Sequence, residues 1–350
     1  MRKALLVLVA GLALGSLLWI AREWYRSYRV HSGHQFVVVE PGMRAPAVAR
    51  VLVAHGVLAY RAPFLVRYWL GRPRRRLQAG EYLFDRPLRP LDVYRKLVRG
   101  EVYLHTVVIP EGSDRFDMAR ILNQQLGISE GEFLNATEKA AAAHRLGPWA
   151  PTLEGYLYPD TYRFPRHASA ETVVATMLAR FHEVLTSRFA PPLGASPETL
   201  HEVITVASLV EKETPDPAER PIIAGVFARR RERGWPLQCD PTVGYAVRLT
   251  YWLRGRSIGP ITQQDLKLDS PYNTYQRAGL PPGPICSPGE ASIRAALEPD
   301  AGNLLYFVSN NQGGHVFART LAEHQRNVAR YRRQVAALRR GTSEVKRHAR

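Results

Sequence analysis

The amino-acid sequence predicts an α+β protein in three parts: an N-terminal transmembrane helix, a small α/β subdomain and a larger mixed α+β domain. An apolar run opens the chain, short strand-like runs alternate with helical patterns up to residue 110, and helical spacing dominates beyond it. The 350 residues are enough for two modest domains, each with its own core. We place the boundaries at 1–21 for the membrane helix, 22–34 for a linker, 35–110 for the subdomain, 111–340 for the larger domain and 341–350 for a basic tail.

The apolar run covers residues 4–21, in which Ser16 is the one polar residue. Its length of about 18 residues is sufficient to cross the hydrocarbon core of a bilayer. Trp19, Trp24 and Tyr25 lie where an interfacial aromatic belt is expected. A cleaved signal peptide is the alternative, but no small-x-small cleavage site follows the run. We therefore predict an uncleaved anchor, whose orientation is left open by basic residues at both ends.

The subdomain is predicted from β-branched and aromatic runs that alternate with amphipathic helices. Gly56 and Gly100 are typical of helix C-terminal ends, and residues 40–42 form a Glu-Pro-Gly turn. These signals predict a strand-helix-helix-strand unit with one further helix and strand. We expect strands at 35–39, 80–84 and 102–109, and helices at 47–55, 61–70 and 90–98.

The larger domain begins at a predicted hinge, residues 110–113, in which Ser113 is a candidate cap for the next helix. Besides the helix described below, we expect helices at 115–126, 130–142, 170–187 and 222–233, strands at 303–308 and 316–318, and a final basic helix to about Arg340. We expect the tail after Gly341 to be disordered.

The formal charge of +17 predicts an anionic partner, which could be nucleic acid, a membrane surface or an anionic polymer. No zinc-finger spacing, RNA-recognition signature or Walker loop supports nucleic acid, so we predict no nucleic-acid partner. Cys239 and Cys286 are too few to form a metal site by themselves, and we expect free thiols rather than a disulfide. We predict neither a metal nor another cofactor.

One predicted helix carries an acidic residue within its apolar stripe. Ser196 and Pro197 give a cap and a first-turn proline, and Pro215 ends the helix. Glu211 follows Ile204 by seven residues and lies in the stripe, whereas Glu202 and Glu213 fall on another face. Burial and the negative end of the helix dipole both disfavour its charged form. We expect a carboxylic acid that can donate a proton; the alternative is an ion pair with Lys212 or an arginine.

Four other stretches are rich in polar and aromatic residues, as binding sites are. They are 153–162 (LEGYLYPDTY), 237–243 (LQCDPTV), 270–275 (SPYNTY) and 279–285 (GLPPGPI). Residues 210–214 (VEKET), which contain Glu211, are the fifth motif. In their order along the chain the five motifs resemble the YceG-like (MltG) family of membrane-anchored endolytic peptidoglycan transglycosylases. The resemblance extends from the anchor to about Tyr331.

The resemblance implies a protein of the cytoplasmic (inner) membrane, with its N-terminus inside and a catalytic domain outside the cytoplasm. It implies that the small subdomain is LysM-like. It also implies one essential glutamate, at Glu211, and cleavage of glycan strands between N-acetylmuramic acid and N-acetylglucosamine. The expected product is a 1,6-anhydromuramic end, which terminates strand elongation. The implied partners are peptidoglycan glycan strands and the cytoplasmic membrane, with peptidoglycan synthases as candidates.

Side chains in the motifs are suited to binding sugars. Amide and hydroxyl groups bind sugar hydroxyls and N-acetyl groups, and tyrosine rings pack against apolar sugar faces. The alternative is structural, since tyrosines pack in cores and Asn-Thr and Asp-Pro pairs cap turns. We predict substrate contacts for Glu154, Tyr162, Gln238, Asp240, Asn273, Thr274 and Tyr275.

Three classes of function remain. Classical glycoside hydrolysis needs two carboxylates, and Asp240, Glu154 and Asp160 are candidates for the second. A lytic transglycosylase needs only one, because the muramic 6-hydroxyl of the substrate is the nucleophile. We favour this lyase over a muramidase-type hydrolase and over a non-catalytic wall-binding membrane protein.

Overall fold

The computed structural model describes residues 2–28, 33–71, 76–144, 152–189, 196–252 and 261–348. The α+β prediction is confirmed: among these residues, helices accompany three short two-stranded sheets. The helices are α1 (Arg2–Tyr25), α2 (Ala45–Ala54), α3 (Arg61–Leu70), α4 (Pro90–Arg99), α5 (Arg115–Leu126), α6 (Glu130–His144), α7 (Ala170–Arg188), α8 (Pro197–Glu213), α9 (Arg220–Glu232), α10 (Asp240–Trp252), α11 (Glu290–Leu297) and α12 (Leu321–His348). The strands are β1 (Gln35–Val39), β2 (Gly80–Phe84), β3 (Leu104–Val108), β4 (Thr161–Pro165), β5 (Tyr306–Ser309) and β6 (His315–Ala318).

The chain forms two compact units. The first comprises residues 1–106 and 163–168, and the second comprises residues 107–162 and 169–350. In the first unit β1 and β2 pair antiparallel, with Gln35 opposite Phe84 and Val39 opposite Gly80. The pair and the helices α2 to α4 enclose a core that includes Val37, Leu52, Phe64, Tyr82, Tyr94 and Leu97.

Helix α1 is long and apolar enough to cross a membrane, with a mean hydropathy of 2.5 over its most apolar window. None of that window is buried within the protein, as expected of a membrane anchor. The helix continues to Tyr25, so the first residues of the predicted linker are helical, and residues 29–32 lie outside the described part. Near its C-terminal end, Trp24 Nε1 donates a hydrogen bond to Pro63 O at 2.6 Å.

The second unit differs from the sequence-based prediction in several details, which include α10 and α11, two helices outside those predicted above. The cap of α5 is Asp114, not Ser113: Asp114 Oδ1 accepts the backbone N–H groups of Phe116 and Asp117. Strand β5 starts at Tyr306, because its antiparallel partner β6 is only four residues long. Helix α12 runs to His348 through the predicted disordered tail, since a lone glycine such as Gly341 is tolerated inside a helix.

Helix α8 positions the predicted catalytic glutamate. Ser196 Oγ accepts the N–H of Thr199 at 3.1 Å, and Pro197 is the first helical residue, as predicted. One face is buried against α9, α10 and α11. Its buried residues are His201, Ile204, Thr205, Ala207, Ser208, Leu209 and Val210. Glu211 follows directly after this buried run, in the last turn of the helix.

Candidate functional site

Glu211 is held by two donors from elsewhere in the second unit. Its side chain is 6% exposed. Oε1 accepts a hydrogen bond from Arg220 Nη2 at 3.2 Å, and Oε2 accepts the Gly289 N–H at 3.1 Å. Arg220 begins α9, and Gly289 immediately precedes α11. The ion pair with an arginine that the alternative predicted is therefore present, and it fixes the orientation of the carboxylate.

The turn at residues 110–113 packs against the C-terminal end of α8. Lys212 Nζ donates to Gly112 O at 3.1 Å, and the Gly112 N–H donates to Ser287 O at 2.9 Å. A Cβ at Gly112 would lie 3.6 Å from Cγ of Glu211, so the turn approaches the catalytic candidate closely. This packing brings Glu111 into the neighbourhood of Glu211. Residues 110–113, predicted as a hinge, are therefore part of the site.

Glu213 is separated from Glu211 by two positions and thus points to another side of the helix. Burial raises the pKa of Glu213 to about 7, and the charge of Asp240 raises it, whereas a hydrogen bond with the Cys239 thiol lowers it. Its neighbours are therefore residues of the 237–243 motif, not the groups around Glu211. The sequence-based separation of the two glutamates onto different faces agrees with this arrangement.

The 237–243 and 270–275 motifs are joined by hydrogen bonds. Thr274 Oγ1 accepts the Cys239 N–H at 3.0 Å and lies 2.9 Å from Thr242 Oγ1. Asn273 is fully buried, and its amide nitrogen donates to Leu266 O and Leu268 O. Asn273 and Thr274 thus shape the loops, as the structural alternative described.

Gln238, Asp240 and Tyr275 are more accessible than these two buried residues. Gln238 and Asp240 are exposed, and Tyr275 is half-buried. The Tyr275 hydroxyl donates to Asp240 Oδ1, and Gln238 Oε1 accepts from Arg230 Nη1 at 3.3 Å. The polar groups of this trio therefore remain near the surface, where a sugar could reach them.

Glu154 and Tyr162 lie in the interior. The Glu154 carboxylate accepts the Arg115 N–H at 3.2 Å and the Tyr245 hydroxyl at 2.9 Å. Burial raises the pKa of Glu154 to about 8, and the charge of Asp114 adds to the increase. Tyr162 donates its hydroxyl to Tyr158 O at 2.5 Å. Of the other acid candidates, Asp160 accepts from Arg180 Nε at 2.7 Å.

A cavity of 780 Å³ opens beside these motifs. Lys212 and Asp240 lie on its wall, and Glu211 does not, although it adjoins Lys212 in the chain. The remaining polar lining comprises Asp114, Asp117, Arg120, Glu130, Tyr245 and Arg248. The cavity therefore provides room for a polar ligand next to the end of α8.

Both cysteines are buried free thiols, which confirms the prediction made for Cys239 and Cys286. Burial raises the pKa of both thiols well above the usual range, so neither is an activated nucleophile. Within the described residues, no group of three His, Cys, Asp or Glu side chains could hold a metal ion.

Sequence reasoning missed Glu111, Arg220 and Gly289. Glu111 and Gly289 occur in short proline-glycine turns, residues 110–112 and 288–289, which carry no signal beyond turn formation. Arg220 lies at the start of a helix, where a basic residue is unfavourable to the helix dipole. That unfavourable position is the one sequence signal that could have marked Arg220 as a partner of an acidic group.

Comparison with known proteins agrees with the resemblance seen in the sequence. Residues 37–330 match the YceG-like family. The chain is 29% identical over 306 residues to an endolytic murein transglycosylase of Bacillus subtilis, covering 82% of each chain. It is 30% identical over 279 residues to an endolytic murein transglycosylase of Streptococcus pneumoniae, covering 72% of this chain and 50% of that relative. A crystal structure of a yceG-like protein of Listeria monocytogenes aligns with a TM-score of 0.57 and 28% identity over 85% of this chain and 99% of the other. The chain is a member of the YceG-like family.

Proposed function

We propose that this protein is a membrane-anchored, endolytic peptidoglycan lytic transglycosylase, and that Glu211 is its catalytic residue. The observation that carries the proposal is Glu211 itself. A carboxylate with 6% exposure is oriented by Arg220 and by the Gly289 N–H, and its chain neighbour Lys212 lines a cavity of 780 Å³. Its position in the VEKET run matches the essential glutamate that the family resemblance implies. The names of the relatives supply the substrate class, peptidoglycan.

In the proposed reaction Glu211 acts first as an acid and then as a base. It gives a proton to the glycosidic oxygen between N-acetylmuramic acid and N-acetylglucosamine, and the bond from muramic C1 to that oxygen breaks. The 6-hydroxyl of the same muramic residue then forms a bond to C1 and returns its proton to Glu211. The product is a 1,6-anhydromuramic end, and no water is consumed. The reaction needs no second nucleophile because the attacking hydroxyl is already part of the substrate.

The motif side chains divide into two roles in this proposal. Gln238, Asp240 and Tyr275 are accessible and are placed to bind the glycan. Asn273 and Thr274 hold the loop that carries Tyr275, and Glu154 and Tyr162 support the interior behind the cavity. We keep a direct substrate role for the first three and assign the other four a supporting role.

The same proposal covers the cellular setting. Helix α1 anchors the chain in the cytoplasmic membrane, with its N-terminus on the cytoplasmic side and both units on the other side. There the enzyme cuts nascent glycan strands internally and so ends their elongation, with peptidoglycan synthases as candidate partners. The first unit, as a LysM-like module, is placed to hold the glycan near the membrane.

Cleavage in heavy-oxygen water tests the reaction type. The full-length protein in detergent is incubated with glycan strands, and the new muramic ends are analysed by mass spectrometry. We expect unlabelled ends that are one water lighter than hydrolysed ends. Heavy oxygen in the new ends would instead identify a hydrolase. Binding of strands by a folded protein, without any cleavage, would identify a wall-binding protein.

A further inference from the structure

Glu111 and Glu211 meet at the same residue, Gly289. Glu211 Oε2 accepts the Gly289 N–H at 3.1 Å. The Glu111 carboxyl group occupies the position that a Cβ would take at Gly289, so only glycine leaves room for it there. The two carboxylates come from segments that lie 100 residues apart in the chain, and the hydrogen bond from Lys212 to Gly112 joins those segments. Both carboxylates thus pack around one backbone position, that of Gly289.

The two carboxylates differ in their partners. Glu211 accepts from Arg220 and from the Gly289 N–H, and both donors favour a charged carboxylate. Glu111 is exposed and has neither a hydrogen bond nor an ion pair within the described part of the chain. A general acid must carry a proton, and neither Arg220 nor Gly289 helps Glu211 to do so.

We propose that Glu111 is a positioning residue that acts through Glu211. Its negative charge favours the protonated form of Glu211 that the proposed reaction needs. This inference rests on the proposed function, in which Glu211 is the acid that protonates the glycosidic oxygen. When that proton leaves, Glu211 becomes charged and pairs fully with Arg220, and the charge of Glu111 then helps it to recover a proton from the muramic 6-hydroxyl.

Charges of both signs surround Glu111. Burial raises the pKa of Glu111, the charges of Glu211 and Glu290 raise it further, and Arg220 lowers it. Among the described residues, Tyr158 also faces Glu111, and its own pKa is raised by burial and by the charges of Glu290 and Glu111. On the side of Glu211, the charged neighbours among the described residues include Arg220 and Lys212, and the buried Cys286 thiol is a further titratable one. Because the interaction between two carboxylates is mutual, each one makes loss of the other's proton less favourable.

The test is the pH dependence of strand cleavage by the full-length protein in detergent, measured between pH 5 and pH 8. Glu111→Gln removes the charge and keeps the shape. Glu211 should then lose its proton at lower pH, so cleavage should fall about tenfold at pH 8 but stay within about threefold of wild type at pH 5. A purely structural role of Glu111 would lower activity by the same factor at every pH.

Gly289→Ala provides an independent route to the same result. The methyl group displaces the Glu111 carboxyl group, while the Gly289 N–H that binds Glu211 is retained. The backbone at this position has φ −80° and ψ 173°, which alanine adopts without strain. We expect the same selective loss at pH 8. Glu290→Gln is the matched control, since it removes a neighbouring carboxylate and keeps both Glu111 and Glu211; its activity at pH 8 should not fall.

Three outcomes would overturn the proposal. A partial loss of Glu111→Gln activity by the same factor at every pH would make the role of Glu111 structural, whereas a uniform loss of about a hundredfold, as expected of Glu211→Gln, would make Glu111 itself the acid. A pH profile equal to that of wild type would leave Glu111 without a role. The proposed function is judged separately, from the anhydro or hydrolysed end made by the wild-type enzyme, so failure of one is distinguishable from failure of the other. Thermal unfolding of each variant shows whether it is folded.

Discussion

Glu154 and Glu211 are acidic residues of two different motifs, and their surroundings differ although both are buried. The side chain of Glu154 is 4% exposed and that of Glu211 is 6% exposed. Each has an arginine nearby, with Arg115 Nε 3.9 Å from Glu154 Oε2 and Arg220 Nη2 3.2 Å from Glu211 Oε1. Burial and a neighbouring arginine therefore do not by themselves distinguish the carboxylate proposed to be catalytic, Glu211, from the other.

The difference lies in what else surrounds each carboxylate. Glu154 accepts from Arg115 and from the Tyr245 hydroxyl, which are both interior groups. Glu211 is at a helix end. It lies next to Glu111, which makes no hydrogen bond within the described part of the chain, and next to Lys212, which lines the cavity. Tyr245 also lines the cavity, so the distinction rests on the position of Glu211 at the helix end beside Lys212 and in the motif that resembles the family's. We therefore assign chemistry to Glu211 and stability to Glu154, and the predictions below test that division.

The largest expected effect is on activity. Glu211→Gln keeps the shape of the side chain and removes the proton that it donates. Strand cleavage should fall by at least about a hundredfold, the lower end of what a general acid contributes. The variant should remain folded, with a somewhat lower melting temperature because the buried Arg220 loses its charged partner. Near-normal cleavage, measured by release of muropeptides, would exclude Glu211 as the catalytic residue.

The second prediction concerns stability. Glu154→Ala removes the acceptor of the Arg115 backbone N–H and of the Tyr245 hydroxyl, together with the carboxyl group that lies 3.9 Å from Arg115 Nε. The free energy of unfolding should fall by about 3 kcal/mol, because each buried donor that is left without an acceptor costs roughly 1–3 kcal/mol. Urea unfolding followed by circular dichroism measures it. An exposed counterpart, Glu232→Ala, should change stability by less than about 0.5 kcal/mol. Equal effects of the two substitutions would mean that Glu154 has no structural role.

The sequence predicts helix α8 well but does not predict the residues that surround Glu211 at its end. Ser196, Pro197 and Pro215 gave the bounds of α8 because capping and proline chemistry act within a few residues. The partners of Glu211 did not follow from the sequence, since Gly289 is 78 residues away and meets the helix only through packing of α11. Likewise, Asn273 and Thr274 were recognised as motif residues, but their burial depends on the partner loop at 237–243.

The third prediction uses pH. Burial raises the pKa of Glu154 to about 8 in the folded protein, whereas an unfolded glutamate titrates near its ordinary value of 4.5. Between these values the folded state binds a proton that the unfolded state has released, so the contribution of this group to stability is present below about pH 4.5 and is lost as pH rises towards 8. Glu154→Gln should show a smaller loss of stability between pH 5 and pH 8 than wild type. An identical slope for the two proteins would contradict this assignment.

The smallest expected effect concerns the Tyr245 hydroxyl, which donates a hydrogen bond to Glu154. Tyr245→Phe removes a 2.9 Å hydrogen bond to Glu154 Oε2 and leaves the ring in place. The free energy of unfolding should fall by about 1 kcal/mol, the usual net value of one hydrogen bond. Tyr272→Phe is the matched control, because its ring lies 4.9 Å from that of Tyr245 and its hydroxyl makes no hydrogen bond among the described residues. If the Tyr272 variant loses as much stability as the Tyr245 variant, the loss comes from the aromatic pair. If only Tyr245→Phe loses stability, the loss comes from the hydrogen bond to Glu154. That result is expected if Glu154 has a structural role, because its buried carboxyl group then depends on each of its interior donors.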